Sequence, residues 1–385
     1  MTLDNSKIAT SRTWAEINLN ALENNFYILK NLLAPNSKFA AVCKANAYGH
    51  GLVKIAERLQ NLGADYICVA SVQEGITLRE NNINIPILCI GQVEPDLANL
   101  IARYKITQAV GDFENAELLS QYANQNNVQI KIHVKLDTGM GRLGFYWPDE
   151  DASENLKLTT AHEIASLCKL PNLEAEGLFT HFSKADEDYD YTEMQFKKFN
   201  EAQKFLKELG INFKITHAAA SSGFLSAKKF HLDMCRFGIA LYGYSYPDTG
   251  NEKLNIGLQP VMTVKSKIAA VRFLPAGSKI SYGGTYELTR PSKLAVIPAG
   301  YADCIPRDLS NKARVKIHNV KCNLIGRVCM DMVIADVTDL KDDLKAGDVA
   351  IIYDEDLMME AVKKSGTIID EVVCRVLPRV NRIYI

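Results

Sequence analysis

From about residue 20 onward, short apolar runs alternate with longer amphipathic stretches, a pattern that predicts parallel strands separated by covering helices. Eight runs have strand length: Phe39 to Lys44, Tyr66 to Ser71, Pro86 to Gly91, Ile106 to Gly111, Ile130 to Asp137, Glu174 to His181, Lys214 to Ala220 and Cys235 to Leu241. Between them, Val53 to Leu62, Asp96 to Tyr104, Asn115 to Gln125, Ala161 to Leu170 and Tyr191 to Leu209 are mostly long enough for crossover helices. A further helix precedes the first strand. Leu22, Phe26, Leu29 and Leu33 share one face, and Asn20 with Glu23 has capping-box spacing. The pattern predicts a (β/α)8 TIM-type barrel of the α/β class.

After about residue 255 the period changes to alternating segments broken by turn signals: Val261 to Val271, Lys293 to Pro298, Arg314 to Ile317, Leu324 to Val337 and Val349 to Tyr353. Only a short helix around Leu357 to Lys364 interrupts them, so a mostly β domain, an antiparallel barrel or sandwich, is expected. The division expected is a barrel over residues 12–250 and a β domain over 251–385, with residues 1–11 pairing with the latter.

Composition narrows the partners. In 385 residues, 47% hydrophobic, there is material for a large core, and a formal net charge of -1 gives no global field for nucleic acid or an anionic membrane. Small molecules are the expected ligands. The nine cysteines are scattered, several sit inside apparent strands (Cys68, Cys89), and none forms a CxxC pair, so reduced core thiols and no metal site are expected. Met1 to Thr10 has no apolar signal core and no run reaches the ~18 apolar residues of a membrane span, which points to the cytoplasm.

Barrels of this kind carry their reactive groups where the strands end in βα loops. Here those ends hold Lys44, Lys135 with Asp137, His181, Ser221, and Arg236 with Tyr242. Alternation along the fifth strand puts Lys131, His133, Lys135 and Asp137 on one face. Taken singly, each has a plainer reading. A lysine after a strand or an arginine between glycines is ordinarily solvated, and a lone histidine is ordinarily a satisfied core residue.

The surrounding motifs decide the matter. The stretches Ala41-Val42-Cys43-Lys44-Ala45-Asn46-Ala47-Tyr48-Gly49-His50-Gly51, Val134-Lys135-Leu136-Asp137-Thr138-Gly139-Met140-Gly141-Arg142-Leu143-Gly144 and Met234-Cys235-Arg236-Phe237-Gly238-Ile239-Ala240-Leu241-Tyr242-Gly243 resemble the pyridoxal-phosphate-dependent alanine racemase family. So do Leu178 to Phe182, His217 to Gly223, Ile280 to Tyr286, Pro298 to Asp303 and Gly326 to Met332, and the resemblance runs in family order over roughly residues 10 to 385.

That resemblance implies interconversion of L- and D-alanine, in the family's cell-wall role of supplying D-alanine. Lys44 is its Schiff-base lysine and base, and Tyr282 is the opposed acid/base group, entering the other subunit's site in a homodimer. Pyridoxal 5'-phosphate would be held by Lys44, Tyr48, His181, Ser221, Arg236, Gly238, Ile239 and Arg375. Arg142, Met330 and Tyr301 would bind or admit the substrate, and N-carbamylated Lys135 would support Arg142. Arg236 at the pyridine nitrogen, unlike a carboxylate, keeps the ring a weak electron sink and argues against a decarboxylase. Two departures bear on selectivity. Ala220 stands where many relatives have Asn, and Arg375 where well-known relatives have a phosphate-binding tyrosine, so a broad-specificity racemase is the alternative. A non-catalytic carrier of the cofactor is disfavoured by the complete second domain.

Overall fold

The structure, a computed structural model, describes residue 10, residues 12–245 and residues 256–385. Two compact units emerge, one of Glu23–Ala47 with Leu52–Leu258, the other of Met1–Leu22, Tyr48–Gly51 and Gln259–Ile385. The expected boundary at 250/251 and the pairing expected of residues 1–9 and 11 lie outside the described residues.

The first unit is a barrel of eight parallel strands: Lys38–Val42, Tyr66–Val69, Ile87–Cys89, Ile106–Val110, Ile130–Asp137, Leu173–Phe179, Ile215–His217 and Met234–Phe237. Neighbours in the chain are neighbours in the sheet, and the eighth strand pairs with the first, Met234 opposite Lys38. Between the seventh and eighth, Asp233 N donates to Thr216 O at 3.1 Å and Arg236 N to Ala219 O at 3.1 Å, which brings the wall close to closure. Several strands are buried along their whole length, as expected of a sheet covered on both faces. All eight expected strands are present, Ile130–Asp137 over its full expected length and the other seven shorter at their C-terminal ends. Leu173–Phe179 stops two residues before His181, and Ile215–His217 stops before Ala220. The residues past those ends have turned out of the sheet into the βα loops.

In the second unit a six-stranded sheet runs in the order Val320–Asn323, Arg314–Ile317, Val349–Tyr353, Met262–Lys267, Thr13–Ile17, Asn381–Tyr384. A three-stranded antiparallel sheet of Ala270–Leu274, Ser292–Ile297 and Val333–Asp336 accompanies it. The assignment of the barrel from residue 12 is therefore corrected at its N-terminal edge. Thr13–Ile17 pairs antiparallel with Met262–Lys267 and parallel with Asn381–Tyr384, a pairing with strands more than 200 residues away that no local pattern reveals. The short helix expected around Leu357 is Glu355–Ser365, capped by the Asp354 side chain on Leu357 N and closed by Gly366 at φ 64°, and a second helix follows at Ile369–Cys374.

Candidate active site

At the mouth of the barrel, Lys44 follows the first strand after the single residue Cys43. The next four residues, Ala45 to Tyr48, have φ between 52° and 56°, one turn of left-handed helix built without a glycine. L-residues pay about 1 kcal/mol or more each for that conformation, so something must hold it. Glu74 does part of this: its carboxylate accepts from Ala45 N at 2.7 Å and Ala70 N at 2.9 Å. Asn46 Oδ1 accepts from Leu52 N at 2.8 Å, and Ala47 N returns to Cys43 O at 2.7 Å. Lys44 thus leaves the strand at a fixed angle.

Across the interior runs a chain of buried polar groups with a defined direction. Arg236, 3% exposed, sends Nη1 to His217 Nδ1 at 2.6 Å and Nη2 to Thr180 O at 2.9 Å, Ala218 O at 2.8 Å and His181 Nδ1 at 3.2 Å. A guanidinium only donates, so both imidazoles accept at Nδ1 and carry their proton on Nε2. His217 Nε2 then donates to His133 Nδ1 at 2.8 Å. His133 in turn points its Nε2–H toward Glu176, 3.6 Å away, which Lys131 meets from the other side at 2.7 Å. Gly177 permits this arrangement, because a Cβ there would lie 2.6 Å from the His133 ring.

The electrostatics follow from burial among cations. Desolvation, with Arg236 second, pushes His181 and His217 well below the ordinary imidazole range, so both are neutral at physiological pH. Burial lowers Lys135 to about 8, helped by the charges of Arg142, Arg236 and Lys44 and opposed by Asp137. Desolvation brings Arg236 down to about 10, still fully charged at neutral pH. Glu176 is held down at about 2, chiefly by His133 and then by Lys131. Lys44, Lys135, Arg142, Arg236 and His181 therefore share one electrostatic neighbourhood.

Ser221 opens the short helix Ser221–Ser226, and its Oγ accepts from Gly238 N at 3.1 Å and Ala240 N at 3.3 Å. The hydroxyl, the Gly238 amide and the turn Ile239–Tyr242 are thereby gathered in one place. Ala220 sits at the N-cap of that helix and offers no side-chain bond. Gly223 is required by packing, since a Cβ would meet the Phe182 ring at 2.9 Å. Tyr242 is buried and donates to Val42 O at 2.9 Å, a structural role.

The expected residues of the second unit are arranged differently. Tyr282 stands at the tip of the hairpin joining Lys279–Ile280 to Tyr286–Glu287 and is 71% exposed. The tip is braced below: Ser281 Oγ donates to Arg327 O at 2.7 Å, and Gly283, at φ 72°, makes room for the Arg327 guanidinium. Met330 (52% exposed) and Tyr301 (41%) are neighbours because Tyr301 N donates to Cys329 O at 3.0 Å and Ala302 N to Met330 O at 3.1 Å. Beneath them the buried Asp303 takes forked bonds from Arg12 (2.5 and 2.9 Å) and Arg379 (both 2.8 Å) and accepts from Gly300 N at 2.8 Å. Tyr48 belongs to this unit, where Arg382 Nε donates to Gly49 O at 2.9 Å. Arg375 pairs with Glu371, and both line a cavity of about 230 Å³ with Cys304, Tyr353 and Thr367.

Three groups escaped the sequence reading as site-builders: Glu74, the pair His217 and Glu176, and Asp303 with its two arginines. A charged residue inside an apolar run, as in Pro298-Ala299-Gly300-Tyr301-Ala302-Asp303, was the available signal for the last.

Family models for the alanine racemase N-terminal domain and the alanine racemase C-terminal domain match residues 17–246 and 261–384. A protein named alanine racemase from Halothermothrix orenii is 40% identical over 98% of this chain and 98% of its own length. Among solved structures, the alanine racemase of Clostridium difficile 630 superposes with a TM-score of 0.90 at 36% identity, covering 97% of this chain and 96% of that one. The alanine racemase of Bartonella henselae with covalently bound pyridoxal phosphate gives a TM-score of 0.84 at 26% identity, over 97% and 99% of the two chains.

Proposed function

This chain belongs to the alanine racemase family of pyridoxal-phosphate-dependent isomerases, and from that premise we propose that it interconverts L- and D-alanine by transferring the α-proton between two opposed groups, Lys44 and Tyr282. The observation that carries this reading is the electrostatic neighbourhood of Lys44, Lys135, Arg142 and Arg236 beside two neutral imidazoles. Such a gathering of positive charge, two of its members (Lys135 and Arg236) buried, fits an anionic ligand with a phosphate and a carboxylate.

Pyridoxal phosphate fits these residues. Lys44 supplies the primary amine for attachment, and Ser221, Gly238, Ile239 and Tyr48 supply hydroxyls and amides for the phosphate. Arg236 has N–H capacity beyond the bonds it makes to protein and can serve the ring nitrogen, while neutral His181 can lie against the ring without adding charge. Arg375 joins the phosphate ligands only if its pair with Glu371 opens. When bound, the cofactor supplies an aldehyde for the substrate amine and a conjugated ring that accepts the electron pair left by the α-proton.

The rest falls to the chain. Arg142 takes the substrate carboxylate bidentately, the Met330 amide meets the same carboxylate, and Tyr301 lines the entrance. Lys44 handles the proton on one face and Tyr282, contributed in trans by a second copy in a homodimer, handles it on the other. One group alone would return the proton to the face it left. Lys135, lowered to about 8, holds a useful fraction of neutral amine, the form that attacks carbon dioxide; loss of the amine proton then leaves an anionic carbamate beside Arg142. On this reading the enzyme works in the cytoplasm and supplies D-alanine for peptidoglycan. Among the described residues no helix is long and apolar enough to cross a membrane.

The test is incubation of cofactor-loaded protein with L- or D-alanine in deuterated water, with chirality and α-deuteration followed. Racemisation of both enantiomers with deuterium uptake, abolished by Lys44→Ala and cut about 10² to 10⁴-fold by Tyr282→Phe, is expected. A loaded enzyme that leaves alanine unchanged would sink the substrate assignment. Serine and lysine run beside alanine decide whether Ala220 and Arg375 broaden selectivity.

A further inference from the structure

Arg142 is an exposed residue in a loop with three left-handed glycines, Gly139 (φ 133°), Gly141 (φ 69°) and Gly144 (φ 118°). Such a segment has many conformations open to it, and a side chain that grips a carboxylate bidentately needs one. The loop is nevertheless fastened at both ends to a single residue. Asp137 Oδ1 accepts from Gly139 N at 2.9 Å, Met140 N at 2.8 Å and Gly141 N at 3.1 Å, and the Arg142 amide also faces this carboxylate. Consecutive amides curled around one oxygen form an anion nest, here filled by the protein's own side chain. On the far side, Asp137 O accepts from Trp147 N at 2.9 Å, and Gly144 presses so closely on the strand that a Cβ would lie 2.8 Å from Asp137 N.

We propose that Asp137 is a positioning residue for substrate recognition: its Oδ1 organises residues 139–142 into one conformation and thereby aims the Arg142 guanidinium. The inference rests on the reading that Arg142 binds the substrate carboxylate. Asp137 itself stays out of the reaction, since the bonds made by Oδ1 go to backbone amides of its own loop. What matters is an acceptor oxygen at that point. The negative charge is secondary.

A crossed pair of variants separates geometry from charge. Asp137→Asn keeps an oxygen in place and loses the charge, whereas Asp137→Glu keeps the charge and displaces the oxygen by one methylene. Each is loaded with cofactor and assayed for KM and kcat with alanine and for inhibition by propionate, a carboxylate without an amine, with Asp137→Ala and Arg142→Lys alongside. Asp137→Glu and Asp137→Ala should raise KM and the propionate inhibition constant roughly tenfold with a much smaller change in kcat, and Asp137→Asn should stay within a few-fold of wild type. The reverse order, Asn failing and Glu holding, would overturn the proposal in favour of a charge effect, and so would equal kinetics across the series. If Arg142→Lys leaves propionate inhibition unchanged, the assignment of Arg142 fails, and the role of Asp137 falls with it.

Discussion

The two units carry their candidate chemistry in opposite ways. In the barrel, Arg236, His217 and His133 are buried and joined in one directional hydrogen-bond chain that ends 3.6 Å from the buried Glu176, with tautomers fixed by a donor that cannot accept. In the β unit, Tyr282, Tyr301 and Met330 stand out from the surface, and the bonding is all beneath them, in Ser281, Asp303 and the arginines that clamp it. Exposed aromatic and thioether groups on a braced scaffold cost ordering without recovering contact energy. A buried network finishes its site within one chain. On the proposed reading, the exposed, braced set is half of a site that a second copy completes.

Subunit mixing breaks that comparison most sharply. Lys44→Ala and Tyr282→Phe homodimers should each be nearly inactive, the former by more than about 10³-fold. Dissociated and re-paired, they should recover about a quarter of wild-type activity, because half the dimers are mixed and one of the two sites in each holds both native groups. No recovery in a sample shown to contain mixed dimers would mean that Tyr282 acts within its own chain.

Stability gives the next largest contrast. His217→Ala removes the acceptor of Arg236 and the donor to His133 in a fully buried place, leaving two polar groups unpaired and a void, so a loss of roughly 3 to 5 kcal/mol is expected by chemical denaturation. Tyr282→Phe should fall within about 0.5 kcal/mol of wild type, since an exposed hydroxyl contributes little to the folded chain. Equal losses would erase the distinction between a finished and an unfinished half.

The same contrast explains what was legible in the sequence. The barrel strands were readable because each is a short apolar run whose period is local, and the site lysines, arginines and histidine sit beside those runs. Their partners were not. Arg236 meets His217 and His181 from different strands, and Glu176 reaches His133 across a bulge between Ile132 and His133, so the pairing depends on closure of the wall. Thr13–Ile17 was missed for a similar reason, because its neighbours are Met262–Lys267 and Asn381–Tyr384. Alternation gives a strand its faces but not its partners. The left-handed turn after Lys44 left no local trace either, since Ala45 and Ala47 are helix formers and part of what holds the conformation is Glu74, far along the chain.

The smallest effect concerns Lys135, a barrel cation whose charge is negotiable near neutral pH. In the unmodified folded chain its proton leaves near pH 8, whereas in the unfolded chain it is retained to about 10.5. Between those values the unfolded state binds more protons, so stability should rise with pH across that window; below it, the full penalty of burying the cation is present. Carbamylation would remove this titration and replace the penalty with an attraction to Arg142. Protein stripped of carbon dioxide should therefore show a Tm that climbs on the order of 1 to 3 °C from pH 8 to 10 relative to Lys135→Met, and added bicarbonate should flatten that difference and lower KM for alanine. A difference curve unmoved by bicarbonate at every pH would mean that Lys135 stays an amine, and that Arg142 is held by its loop alone.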